Sequence, residues 1–241
     1  MQKFTICSGL LLFTVTAFAY QSYVIMSPDG MPEATISTDQ LPVIPQEMRD
    51  LGDERRASIK ELGYVPMYSK NAELLMSMKD KKGTTDSMPD DVPYFYTLRL
   101  NTADFLLTFP FKGFSSISKE HLIGFVPSGS YQDETGKWTG LTAYFNNSNL
   151  GVCRIELIDM PEINAQAFYN SDHLDFDINK KPTFKTASGN SESGFIYETS
   201  WTGKRYEKTL ECANKKPFER GTIKNLVLLA KKIDADFPDA P

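Results

Sequence analysis

LGVCRIEL (residues 150–157) and RYEKTLEC (residues 205–212) decide the fold. In an extended chain successive side chains point to opposite faces, so Cys153 shares a side with Ile155 and Leu157, opposite Arg154 and Glu156. The same parity places Cys212 with Tyr206 and Leu210, opposite Arg205, Glu207, Thr209 and Glu211. Both cysteines therefore face a core. They are expected to bond between neighbouring strands or across the end of one sheet. The loop closed is about 60 residues, for which the chain-entropy estimate is roughly 4 kcal/mol. Neither cysteine lies in a C-x-x-C motif, and a stability role is expected rather than a redox or nucleophilic one.

Around these two segments lie further short runs rich in β-branched and aromatic residues, separated by turn residues. They are YFYTLRL (94–100), DFLLTFPF (104–111), HLIGFV (121–126), WTGLTAYF (138–145), HLDFDI (173–178) and GFIYETSW (194–201). Thr202-Gly203 suits a tight hairpin turn, and ASGNSESG (187–194) a looser one. TIKNLVLLAKKID (222–234) places Ile223, Leu226, Val227, Ala230 and Ile233 on one helical face, with Thr222 as its expected N-cap. The fold class expected is α+β: a mainly antiparallel β-sheet, with this C-terminal amphipathic helix packed on one face, over residues 94–237.

Ahead of that domain, residues 20–93 are expected to form an extended and helical N-terminal region with a linker. Residues 20–45 hold four prolines and no sustained periodicity. Helices are expected over Gln46–Leu62 and Asn71–Lys81. GTTDSMPDDVP (83–93) has the composition of a connector, and the domain boundary is placed there.

The first nineteen residues, MQKFTICSGLLLFTVTAFA, follow the order of a secretory signal peptide: Lys3, an apolar run, then Ala17-Phe18-Ala19. The run is shorter than the roughly 20 residues that span a bilayer. Cleavage after Ala19 is expected to remove Cys7 and leave Cys153 and Cys212 in an oxidising compartment. No later segment is long and apolar enough to be a transmembrane helix, so a soluble periplasmic or extracellular protein is expected. The net charge of −5, without a basic block, argues against nucleic acid as partner.

Chemistry is sparse. Two histidines, His121 and His173, limit any imidazole mechanism, and no G-x-S-x-G elbow is present. Ser115 precedes His121 by six residues, which is common in loops. In SDHLDFDIN (171–179), His173, Asp175, Asp177 and Asn179 alternate with Leu174, Phe176 and Ile178. The glycine and glutamate of a calcium loop are missing, so a half-solvated strand is expected rather than a metal site. With 31 acids in the chain, no catalytic carboxylate pair can be nominated from spacing. No glycine-rich phosphate loop or other cofactor address is present, and no cofactor is expected.

The remaining candidate is a binding edge made by Tyr131 and Trp138, which flank the turn QDETGK and suit carbohydrate, peptide or a partner protein. The function expected is an exported, noncatalytic binding or accessory protein of the bacterial periplasm or secretome. The alternatives are a secreted hydrolase with a dispersed site, for which His121, His173 and nearby acids are the suspects, and a structural subunit of an envelope assembly.

Overall fold

The computed structural model describes residues 22–26, 32–37, 46–81, 98–102, 105–163, 167–170 and 175–238. The expected signal segment, the connector at 83–93, residues 94–97 and His173 lie outside the described residues.

Two antiparallel three-stranded ribbons build the main sheet. β5 (Leu122–Gln132), β6 (Lys137–Asn147) and β7 (Gly151–Asp159) form one, and β10 (Lys181–Asn190), β11 (Gly194–Thr202) and β12 (Tyr206–Asn214) the other. β7 pairs antiparallel with β12, so the spatial order is β5-β6-β7-β12-β11-β10. Short strands complete the nine: β3 (Val65–Pro66) parallel to β10, β9 (Asp175–Ile178) antiparallel to it, and β4 (Leu106–Leu107) parallel to the start of β6. The class is thus α+β with a mainly antiparallel sheet. A second sheet has the order β2-β1-β8, from β1 (Ser22–Met26), β2 (Pro32–Ser37) and β8 (Ala167–Asn170); two of its strands come from the region expected to be an extended lead-in.

Alternation along β7 and β12 puts their two cysteines directly opposite one another, bonded with an S–S distance of 2.07 Å and a Cα–Cα distance of 4.0 Å. The bond is fully buried. It ties the two ribbons at the seam where they meet. Close approach at this seam requires Gly151, whose φ is +94° and where a Cβ would stand 2.2 Å from the Ala213 carbonyl oxygen.

The sheet face that carries the disulfide holds the main core. Ile155, Leu157, Leu210, Tyr197 and Trp201 pack there against Leu226, Val227, Ala230 and Ile233 of α4 (Arg220–Asp236), the helix that follows the single turn α3 (Met160–Ile163) in chain order. This is the helical face the sequence predicts. Its start differs: Glu219, not Thr222, is the N-cap residue. Phe218 stacks on Tyr197 and packs against Tyr64, which fixes where the chain enters the helix, and the Thr222 hydroxyl bonds Tyr197 instead of capping.

Beneath the C-terminal half of α4 lies a buried ionic knot. Asp234 accepts hydrogen bonds from Lys208 Nζ (2.7 Å), Lys181 Nζ (2.7 Å), Asn179 Nδ2 (2.7 Å) and Trp201 Nε1 (2.8 Å). Lys208 is completely buried and also donates to the Phe237 carbonyl at 2.7 Å. Burial alone would raise the Asp234 pKa, but Lys208 and the other donors hold it at about 2.

The opposite face is covered at one end by α2 (Lys70–Ser77), whose Ala72 and Leu75 pack against Val152, Ile196 and Ala213. Ser69 caps α2 by accepting from the Ala72 N–H, and its own N–H donates to Ser193 Oγ at 2.9 Å. ASGNSESG is therefore only partly a turn. β10 continues to Asn190, and residues 191–193 alone turn the chain. α1 (Gln46–Leu62) matches its expected span, whereas α2 ends at Ser77 and a 3-10 turn covers Met78–Asp80.

The expected strand at 104–111 reduces to the pair of residues in β4, because Phe109, Phe111 and Phe114 turn into the core toward Phe237 and Tyr206 instead of continuing a ladder. At 94–100 the described part makes a single bridge, Arg99 to Phe125. Among the described residues no helix is long and apolar enough to cross a membrane.

Candidate functional site

The sheet face beyond α2 is polar. Successive cross-strand neighbours line it in rows, because directly paired residues share a face. One row is Tyr144, Arg154, Glu211, Glu198 and Thr186. The next is Thr142, Glu156, Thr209 and Ser200, followed by Gly140, Ile158, Glu207 and Thr202. The same parity of β6 carries the face onward to Trp138, paired across the ladder with Tyr131.

Four glutamates and one arginine thus stand on adjacent strands. Arg154 Nε donates to Glu211 in an ion pair. Burial pulls the guanidinium pKa down, yet Glu211 outweighs it and the net shift is upward. Glu198 lies directly opposite Glu211, and two ionised carboxylates so placed repel. Burial, reinforced by the charge of Glu211, pushes Glu198 up to about 8; burial and then Glu156 push Glu207 up to about 7. Burial also raises Glu156, partly offset by Arg154. Glu198 Oε1 is closed to solvent and has no hydrogen-bond partner among the described residues. The short hydroxyl side chains between these acids, Thr142, Ser200, Thr202 and Thr209, are buried, whereas Glu156, Glu198 and Glu207 stay partly exposed above them. The arrangement is a sheet face on which carboxyl groups stand among short hydroxyl side chains.

Such shifts leave a signature in stability. A folded-state pKa above the unfolded one means that the native state holds the proton, so the contribution is complete below the unfolded pKa and is lost as pH rises through the folded one. Glu198→Gln keeps the shape of the neutral acid and removes this loss. The variant is expected to match the parent near about pH 4.5 and to exceed it by about 4 kcal/mol near pH 8. Urea unfolding at both pH values measures this, and parallel stability profiles for the two proteins would contradict it.

Tyr131 and Trp138 are brought together as the sequence suggests, with ring centroids 5.1 Å apart and planes at 50°. Tyr131 is half exposed. The hairpin between them is closed by Gly136 N–H to the Gln132 carbonyl, and Gln132 Nε2 reaches Glu162 at 2.9 Å. Next to this pair, β4 borders an open cleft of about 280 Å³ lined by Asn101, Thr102, Phe105, Leu106, Phe109 and Phe111.

The other sequence candidates do not converge. Ser115 Oγ and the Ser116 N–H both donate to Asp236, while His121 sits on an exposed turn with its N–H on the Ser118 carbonyl. Asp175 and Asp177 are exposed and both pair with Lys185, while Ile178 is buried, as in a half-solvated strand. Phe176, assigned to the apolar side of that strand, is 53% exposed. Among the described residues no group of three or more His, Cys, Asp or Glu side chains is arranged to hold a metal ion.

The glutamate rows were missed because alternation gives each residue a face without saying which strands adjoin. β7 and β12 are neighbours in space but lie on different ribbons. The chain matches no protein-family model, no curated protein and no solved structure at a significant level.

Proposed function

We propose that this chain is an exported, noncatalytic binding or accessory protein of the bacterial periplasm or secretome, with its ligand held on the polar sheet face that ends at Tyr131 and Trp138. Export is supported by the order of the first nineteen residues and by the buried disulfide. Binding is supported by one observation above all: an aromatic pair, with Tyr131 half exposed, at the end of a sheet face that carries four glutamates. A fold gains nothing in stability from burying acids at such pKa values, and such departures concentrate at functional sites.

The test screens oligosaccharide and peptide arrays with protein recovered from the host envelope or medium and weighing from Tyr20 onward. The Tyr131→Ala/Trp138→Ala double variant is expected to lose about 30-fold in affinity for whatever is captured, as for an aromatic hot spot. Of the two tryptophans, Trp201 is completely buried, so ligand-induced fluorescence changes are expected to disappear with Trp138→Ala. Unchanged capture by the double variant would overturn the proposal.

A hydrolase remains the second reading on a specific ground. Glu198, which holds its proton near neutrality, faces Glu211, which is paired with Arg154. Two acids with different environments are the parts from which acid–base catalysis is made.

A further inference from the structure

We propose that the open cleft beside β4 is a subsite for an uncharged saccharide, whose chain continues from the cleft onto the Tyr131–Trp138 pair. The inference rests on the binding function proposed above and names the class of its ligand.

Space is the first observation. The cleft holds about 280 Å³, close to the lower end of the range for small-ligand sites, about 300 Å³. Asn101 and Thr102 line it from one segment, and Phe105, Leu106, Phe109 and Phe111 from another. The second segment leaves the sheet after Leu107, yet its rings are held by the core. Phe109 packs edge-on against Tyr206 and Phe237, and Phe111 against Phe114 and Phe125. These contacts set the wall in place without a ligand. Leu106, by contrast, leaves 59% of its surface exposed.

Chemistry is the second. Among the described residues that line the cleft none is charged, and the polar side chains are one amide, Asn101, and one hydroxyl, Thr102. Arg99 stands over the Phe105 ring, 5.9 Å from its centroid, and is not part of the lining. A charged ligand would lose hydration here with no counter-ion in the lining to offset the loss. A wholly apolar ligand, such as an acyl chain, gains by enclosure, and an open cleft leaves much of it in water. A pyranose meets both conditions. Its C–H face lies against rings and leucines, some of its hydroxyls bond the amide and the hydroxyl, and those directed outward keep their water.

Position is the third. Leu107 pairs with Trp138, and the Thr108 N–H donates to the Trp138 carbonyl at 3.0 Å. The cleft and the aromatic pair are thus one strand apart, with Tyr131 half exposed. Two aromatic platforms in succession suit a chain of sugar rings more than a single one.

Isothermal titration with mono- to tetrasaccharides of glucose, xylose, mannose and N-acetylglucosamine reads affinity against chain length. The trisaccharide of at least one series is expected to bind at least about tenfold more tightly than its monosaccharide. Its affinity is expected to be the same at low and high salt, as for an uncharged ligand. Asn101→Ala/Leu106→Asp changes two exposed positions of the lining, and is expected to weaken the trisaccharide about tenfold and to remove the gain with length. Leu228→Asp, at an equally exposed leucine of α4, controls for the added charge and should change neither. Thermal unfolding confirms that both variants are folded. Failure of every series, a steep salt dependence, or binding indifferent to Asn101→Ala/Leu106→Asp overturns the inference. If no saccharide binds but an array peptide depends on Tyr131 and Trp138, the binding function stands without it.

Discussion

Asp234→Ala is expected to destabilise the protein by about 4 kcal/mol, because it leaves the charge of Lys208 buried without its counter-ion. Lys208 has no exposed surface, and after the substitution its ammonium keeps its hydrogen bond to the neutral Phe237 carbonyl. Trp201 Nε1 and Asn179 Nδ2 lose their acceptor at the same time. The double variant Asp234→Ala/Lys208→Met is expected to recover much of the loss, since removing both charges also removes the desolvation cost. Urea unfolding of the two variants decides the matter, and a single-variant loss under about 1 kcal/mol would show that the knot is not what holds α4 to the sheet. The pH dependence follows from the depressed pKa. The Asp234 contribution is complete above the unfolded value near 4 and is lost as pH falls through the folded value of about 2.

The second large effect concerns the seam between the ribbons. Replacing Cys153 and Cys212 together by alanine is expected to cost about 4 kcal/mol, the chain-entropy value for the loop that the bond closes. The two residues are 59 positions apart in sequence and directly opposed in space. Without the bond, each ribbon keeps its own local hairpins, but the β7–β12 pairing must be formed across a long, unconstrained loop. Guanidinium unfolding of the oxidised protein and the double variant measures the difference. Coincident transitions would show that the ribbons hold one another without the bond.

These effects mark what local pattern could and could not show. The inward parity of Cys153 and Cys212 was readable because alternation in each strand is clean and needs no partner. α1 and the apolar face of α4 were readable for the same reason, since helical period is a local property. β10 (Lys181–Asn190) was not, since no run there reads as a strand and its end reads as a loose turn. Ala-Ser-Gly-Asn has the composition of a turn, and it is drawn into the sheet by β3 and by the contact of Ser193 with the start of α2. Phe109 and Phe111 looked like strand residues, but β4 ends at Leu107 and their rings contribute to the core from an irregular segment. The glutamate face shows the same limit. Glu156, Glu198, Glu207 and Glu211 each alternate outward in their own strands. Their convergence depends on β7 lying beside β12, which is a fact of topology and not of any one segment. The pair Tyr131–Trp138 was legible because a hairpin joins its two strands, so sequence neighbours became spatial ones.

Mass spectrometry of a ligand captured by the native protein and then eluted tests the central claim most directly. The ligand is expected to come off at its original mass after prolonged incubation, as from a protein that binds and does not transform. Recovery of shortened or altered products, formed by the native chain and not by Glu198→Gln/Glu211→Gln, would show the glutamate face to be a catalytic site and would contradict the account.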